Sequence, residues 1–513
     1  MMRNVLTEEI DRGQDELRCR TVRREGGRIS QRWILAVMGC LAAANAFMMR
    51  TCLSVAITEM VAKTETSNDT SLDDTCPASE STLSSTPSTS GTYEWSEYTQ
   101  GIILSSYAWG YIVAQIPGAM MVAKFGGKWP LGVGLLMAGV LTLLTPTVVE
   151  AYEAKGLIAL RILIGLSGGV LSPSFGFLTA HWASPNERSK IGNTISSGAF
   201  LGIVIANALS GVLIENFSIG WPIVFYFFGS FSVIWFLVWT VLCYSRPEDH
   251  PFITDEEKKH LAETTMQLNT GKKHGETPAI PWRQILSSPP FWALTMASVC
   301  HDWGGYMMLT NLPKYMSSVL KYSIQSNGLL SALPFLIKWL VINASSWMSD
   351  WLIKEGKLSR TKVRKIFGTI GGPGMAVFLI GASYAGCNRT LVVTFFSLGM
   401  GMMGNLISVV VVNNVDLSPN HAGTLMGTIN TVTALTGIAA PYAVGVLTPN
   451  QTLSEWRIVF WITVILLFTG ALIFVIWGDG EVQSWNHPNY VDRKRTKVES
   501  GEQADEERKS LAS

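Results

Sequence analysis

Apolar runs of about twenty or more residues, separated by short polar turns, repeat along most of the chain. They lie near 33–61, 100–122, 129–149, 156–182, 191–214, 221–244, 290–312, 327–349, 366–386, 391–415, 424–446 and 458–477. Each of the twelve is long enough to cross a bilayer, which takes roughly 20 apolar residues with allowance for tilt. The polar remainder is concentrated in four segments: an N-terminal tail (1–32), a Ser-, Thr- and Asp-rich loop (62–99), a middle loop (245–289) and a C-terminal tail (478–513). The middle loop separates spans six and seven, leaving one six-span half at 33–244 and another at 290–477. The pattern predicts an all-α membrane protein of twelve transmembrane helices in two halves. That architecture suits alternating access around a midplane site between the halves.

Composition agrees with the pattern. Only 15% of residues are charged, against about 25% in soluble globular chains. The net charge of +1 gives no signal for nucleic acid. No short apolar region precedes position 31, so no cleavable signal peptide is expected and the first span is read as the anchor. With the N-terminus placed inside, thirty of the 39 Lys and Arg fall in inner segments and six in outer ones. The positive-inside rule then makes both termini cytoplasmic. The sequons at Asn68, Asn216, Asn388 and Asn450 all fall in outer loops, where glycosylation is possible. Another, Asn343-Ala-Ser, lies within a span and should be unmodified. The seven cysteines form no CxxC pair and no metal or disulfide framework. Only Cys76 and Cys387 could share an oxidising face, and the compartment rule alone weighs against a bridge between them.

Charges inside the spans carry the chemistry. Arg50 lies about 17 residues into the first span, roughly 25 Å from its inner end. A guanidinium keeps its charge, and placing it at bilayer depth costs at least ~2.5–3.5 kcal/mol. Arg161 lies about five residues, roughly 8 Å, below the outer end of span four. Two fixed cations in the outer third of one half suit a small anionic substrate held by charge-assisted hydrogen bonds; snorkelling to the interface is the bland reading. His301, Asp302 and Lys338 lie near the midplane of spans seven and eight. Lys338 is a possible partner for Asp302, and His301 titrates near neutral pH and could carry a proton. Asn405, Asn413, Asn414 and Asp416 give span ten a polar stripe that could help coordinate sodium or tie helices together.

Basic turns at Lys124-Phe-Gly-Gly-Lys128 and around Asp350 suit a cytoplasmic latch between the halves. The alternative is ordinary positive-inside charge. Pro117, Pro173 and Pro441 are candidate kinks. No GxxxxGK[ST] run is present, which disfavours an ATP-driven pump. No GxSxG or HExxH constellation marks an enzyme, so no catalytic residue or metal site is assigned.

Several stretches are similar to a family of anion and phosphate carriers within the major facilitator superfamily. That family includes sialin, the vesicular glutamate transporters and the type I sodium/phosphate cotransporters. The stretches are MMRTCLSVAITEMV (48–61), WGYIVAQIPG (109–118), LRILIGLSGG (160–169), ASPNERSKIG (183–192), NVDLSPNHAGTLMGTINT (414–431) and DGEVQSW (479–485). HDWGGYMMLTNLPKYMSSVLKYS (301–323) most resembles the invertebrate inorganic phosphate cotransporter members. The resemblance spans about Arg32 to Trp485. It implies a twelve-helix facilitator fold, ion-coupled anion transport and substrate recognition by Arg50 and Arg161.

Departures from the family pattern narrow the expectation. Sialin-like members carry acidic residues three and seven positions after the span-four arginine; here those positions are Ile164 and Gly168. The histidines of the glutamate transporters correspond to Leu104 and Asn414, and the superfamily's first-turn acidic position reads Ala123. The chain is therefore expected to be a symporter of small anions, phosphate first and organic anions next, with sodium as coupling ion and no other cofactor. It is expected to act as a monomer in the lipid bilayer, plasma membrane before organelle. Rivals are a proton-coupled lysosomal or vesicular exporter of acidic metabolites and a non-transporting sensor on the same fold.

Overall fold

The structure, a computed structural model, describes residues 30–62, 76, 91–183, 187–259, 261, 280–418 and 421–486. Asn68 and the side chain of Asp350 lie outside what is described. Helices dominate because a chain in hydrocarbon must satisfy its backbone hydrogen bonds internally. The first half runs α1 (Gln31–Met60), α2 (Glu97–Phe125), α3 (Lys128–Leu143), α4 (Thr145–Gly168), α5 (Leu171–Trp182), α6 (Arg188–Asn216) and α7 (Pro222–Leu242). After a short α8 (Trp282–Leu286) the second half runs α9 (Pro289–Ser318), α10 (Ile324–Lys354), α11 (Arg360–Tyr384), α12 (Arg389–Leu417), α13 (Ala422–Ala434), α14 (Thr436–Leu447) and α15 (Leu453–Trp477).

Breaks in these helices have local causes. Glu153, at φ 50 and ψ −138, turns the chain inside α4, so the third pass ends there and the fourth begins. The fourth pass then breaks between α4 and α5 at Gly169. Pro173, four residues on, has a ring that clashes with the Gly169 carbonyl in a regular helix. The eleventh pass is α13 joined to α14 through Leu435. Twelve passes result among the described residues. Eight stretches are both long and apolar enough to cross a membrane; α2, α9 and α12 match them in length. Large apolar side chains such as Ile234, Leu237, Ile465 and Leu472 point outward, as a lipid-facing surface requires.

Within the first half α1 packs on α6, α2 on α4 and α3 on α7; within the second α9 packs on α15, α10 on α12, and α11 on both α12 and α15. The halves meet chiefly along α2–α14 and α6–α10. Both seams rest on glycine. A Cβ at Gly101 would meet the Pro441 carbonyl oxygen at 3.0 Å, and one at Gly328 would meet the Asn207 carbonyl oxygen at 2.5 Å. Such positions let helix backbones approach closely.

Cys76 and Cys387 form a disulfide, with Cα atoms 5.3 Å apart. This corrects the expectation that no bridge forms. Cys76 thereby lies at the α11–α12 turn, a proximity set by tertiary packing between residues 311 positions apart. Both glycine seams lie near the ends of their helices on this disulfide face. On the opposite side the crossing is looser: Gly423 and Gly427 of α13 face open space.

Candidate anion site between the halves

Arg50 lines a small, narrow cavity. Its walls come from both halves: Ser54 of α1, Leu104 and Tyr107 of α2, Arg161 of α4, Thr310 of α9 and Gly437 of α14. The guanidinium carbon lies 4.8 Å from the Tyr107 ring centre, 4.8 Å from that of Tyr306 and 5.6 Å from that of Phe47. Tyr107 belongs to the first half and Tyr306 to the second. Cation–π contacts are worth about 0.5–2 kcal/mol each, so the rings offset part of the cost of burying the charge. Among the described residues no carboxylate pairs with Arg50. Aromatic rings from both halves surround the guanidinium, and no acidic side chain among the described residues neutralises it.

Arg161 is handled differently. It is buried, and its two terminal nitrogens donate to carbonyl oxygens of α1: Nη1 to Met49 at 3.3 Å and Nη2 to Arg50 at 2.9 Å. The fork grips the backbone that carries Arg50. Its Nε is buried without a partner among the described residues. The two arginines expected at one depth do meet, but through backbone rather than as parallel clamps.

The midplane charges of the second half form a separate cluster. His301 Nδ1 lies 3.0 Å from Asp302 Oδ1. His301 Nε2 is buried without a partner among the described residues, and His301 borders a second small cavity together with Cys300, Gly368 and Phe474. Lys338 does not form an ion pair with Asp302. Its Nζ contacts Met403 Sδ at 3.7 Å and lies 5.7 Å from the Phe200 ring centre, on α6 of the other half.

The polar stripe of α12 divides. Asn405 accepts from Ser345 Oγ at 2.6 Å and donates to the Met402 carbonyl, tying α10 to α12. Asn413 and Asn414 are buried, and the Asn413 amide has no hydrogen-bond partner among the described residues. Asp416 pairs with Arg364, which also donates to Ser349 Oγ. That three-helix network joins α10, α11 and α12 within one half.

Lys128 likewise stays within its own half. Its amine stacks 3.6 Å from the Tyr244 ring centre, its N–H donates to Ser245 Oγ and its carbonyl accepts from Trp239 Nε1. Lys124 lies over the neighbouring Phe125 ring. Asn216, Asn388 and Asn450 sit at the ends or turns of α6, α12 and α15 on the disulfide face, and Asn388 caps α12 beside Cys387. Residues missed from sequence include Tyr107, Tyr306, Glu97, Lys314 and Gln451. The aromatic pair carries no sequence signal beyond membership of a span. Glu97, Lys314 and Gln451 were read as parts of outer loops.

A family model described as Major Facilitator Superfamily matches residues 35–441. A Drosophila ananassae protein named "Putative inorganic phosphate cotransporter" is 37% identical over 461 residues, covering 88% of this chain and 94% of that protein. Human sialin is 37% identical over 457 residues, 89% of this chain and 91% of sialin. Bovine vesicular glutamate transporter 2 is 32% identical over 483 residues, 93% of this chain and 79% of that one. In fold, the chain resembles a bacterial homolog of the human lysosomal transporter Spinster in an inward-facing, occupied conformation. The TM-score is 0.64 at 13% identity, covering 88% of this chain and 97% of that one. The inward-open xylose transporter XylE from E. coli gives a TM-score of 0.62 at 13% identity, covering 90% and 98%.

Proposed function

The chain belongs to the major facilitator superfamily of membrane transporters, and from that premise we propose that it is a secondary symporter of small anions. The carrying observation is Arg50: a permanent cation in an inter-half cavity, stacked between rings from both halves, with no carboxylate partner among the described residues. Such a charge calls for an anion as its counter-charge. Inorganic phosphate comes first and organic anions next, with support from the names of the relatives. Sodium is the coupling ion of choice because Ile164 and Gly168 offer no carboxylate on the fourth pass.

The disulfide face is taken as the outer or lumenal side. Oxidised cysteines belong to such compartments, and Asn216, Asn388 and Asn450 lie on it. The two termini, with most of the Lys and Arg, are then cytoplasmic. Plasma membrane is the first assignment, and tagged-protein imaging tests it.

Uptake of radiolabelled phosphate and a panel of organic anions into proteoliposomes tests the function, with sodium replaced by choline at two pH values. Sodium-dependent uptake of one of these anions is expected. Uptake indifferent to sodium but driven by acid would favour a second reading, proton-coupled organic anion export. The His301–Asp302 contact favours that reading because it sets an imidazole, the side chain suited to carrying a proton near neutral pH, beside a carboxylate within the span.

A further inference from the structure

On the disulfide face, directly above the Arg50 cavity, Lys314 of α9 pairs with Glu97 of α2. The pair joins the two halves. The lysine side chain is only 4% exposed and the glutamate's 19%. Lys314 lies one helical turn from Thr310, and Glu97 two turns from Leu104; both Thr310 and Leu104 line the cavity. At 1.5 Å per residue those offsets are roughly 6 and 10 Å. The ion pair therefore stands between the cavity and the disulfide face.

Further contacts build the pair into the seam. Gln451, in the turn between α14 and α15, donates to Glu97 Oε2 at 2.9 Å and to the Thr448 carbonyl at 2.8 Å. Its own Oε1 accepts from Trp456 Nε1 at 3.0 Å. Gln451 holds φ at 56, a conformation that a residue with a Cβ keeps only when its surroundings fix it. Gln100 donates to the other Glu97 oxygen. One turn deeper the backbones touch: a Cβ at Gly445 would meet the Glu97 carbonyl oxygen at 2.7 Å. The matching seam between α6 and α10 has a neutral contact instead, Asn207 Nδ2 to the Ser331 carbonyl at 3.5 Å.

We propose that Glu97 and Lys314, braced by Gln451, are the latch that holds the halves together over the anion cavity on the disulfide face. Opening that face separates α2 from α9, so the pair must break in every transport cycle. Both residues are positioning residues, acting on the conformational equilibrium and not on the guest. The latch acts in the same way whichever anion is carried.

Physical chemistry gives the latch a distinctive signature. Removing one member of a buried pair strands the other charge, and the stranded charge favours the state in which it is hydrated. Glu97→Gln strands the deeply buried lysine. Lys314→Met strands the more exposed glutamate, which keeps its Gln451 and Gln100 contacts. Removing both leaves a seam with no charge to hydrate. The opening bias should therefore follow E97Q > K314M > E97Q/K314M, with the double variant close to the parent.

The test uses the full-length protein in nanodiscs with the five cysteines outside the disulfide (Cys19, Cys40, Cys52, Cys243 and Cys300) replaced. Spin labels are placed at Tyr152 and Tyr384, exposed positions at the disulfide-face ends of the two halves. Pulsed electron–electron distance measurement reads the fraction of molecules with that face open. E97Q should raise the long-distance fraction about fivefold or more and K314M about twofold, while the double variant falls back toward the parent. Distances that superimpose on the parent in both single variants would overturn the latch. So would a double variant whose effect is the sum of the singles, because a coupled pair must be non-additive. K314M and the double variant keep the test decisive if E97Q folds poorly, and the distance readout does not depend on uptake of any anion.

Discussion

Each half carries a polar centre within its spans, and the centres differ in kind. The first half offers two guanidiniums that hold their charge at any physiological pH. One is stacked between tyrosines and the other is bound to backbone carbonyls. The second half offers His301, Asp302 and Lys338, groups whose charge can change. A fixed charge can only be answered by a guest that brings the opposite charge. A changeable one can respond to a proton or cation. Under the proposed function, the contrast gives anion recognition to the first centre and ion coupling to the second, and substitutions can test that division.

The largest effect is expected at Arg50. Arg50→Ala removes the cation that the rings present, and uptake should fall about a hundredfold or more, in line with two lost charge-assisted hydrogen bonds. Arg50→Lys should recover little, because an ammonium lacks the planar fork that stacks between Tyr107 and Tyr306. Initial rates in proteoliposomes measure both variants. Near-normal uptake by Arg50→Ala would remove the first centre from recognition.

Arg161 should matter less and in a different way. Its contacts are with α1 carbonyls, so Arg161→Ala is expected to shift Arg50 and reduce uptake about tenfold, at a cost to thermal stability as well. Arg50→Ala should leave stability nearly unchanged. Paired melting and uptake curves separate the two roles, and equal profiles for the two variants would erase the distinction drawn between them.

Asp302→Asn probes the second centre. It should lower coupled uptake several-fold while leaving anion exchange between loaded liposomes largely intact, because exchange does not require the coupling step. A matched loss of exchange and coupled uptake would place Asp302 in recognition instead.

The smallest effect concerns a titratable group at the rim of the first half. His250 is buried against Trp182 and Tyr244. Its Nε2–H donates to the Leu242 carbonyl at 3.2 Å, while Nδ1 accepts from the Phe252 N–H at 3.1 Å. Burial, opposed in part by the Leu242 bond and Glu257, holds its pKa below the usual histidine range. A depressed histidine contributes stability that is complete above the unfolded value of about 6.5 and is lost as pH falls toward the folded value. Melting temperature should therefore drop by about one degree between about pH 7.5 and pH 5.5. His250→Gln should flatten that drop; an unchanged slope would mean that His250 does not titrate with folding.

Much of the architecture was legible because bilayer thickness imposes a length and a composition on each pass. The breaks at Glu153, Gly169 and Leu435 fall within or between runs already read as spans. Within the site, Arg50 and Arg161 were legible as charges in apolar surroundings, and their meeting followed from depth along two helices. Three things were not. The tyrosines around Arg50 look like ordinary span aromatics until packing brings α2 and α9 to the same guanidinium. Lys338 lies at the depth of Asp302, but its helix turns it toward Met403 and Phe200. Glu97 and Lys314 were read in outer segments, and only the inter-half seam makes them partners.

By itself the sequence determined that the chain is a bundle of membrane-spanning helices and which charges are stranded in the spans. Those properties depend on local chemistry: hydrocarbon admits apolar helices and penalises every exception. The tertiary structure decided what each stranded charge touches. It gave Arg50 two aromatic faces, turned Arg161 onto backbone and paired Asp302 with its own neighbour. It also joined Cys76 to Cys387 and Glu97 to Lys314 across the halves. Those outcomes depend on helix rotation and on which helices cross, and neither can be read from spacing along one chain.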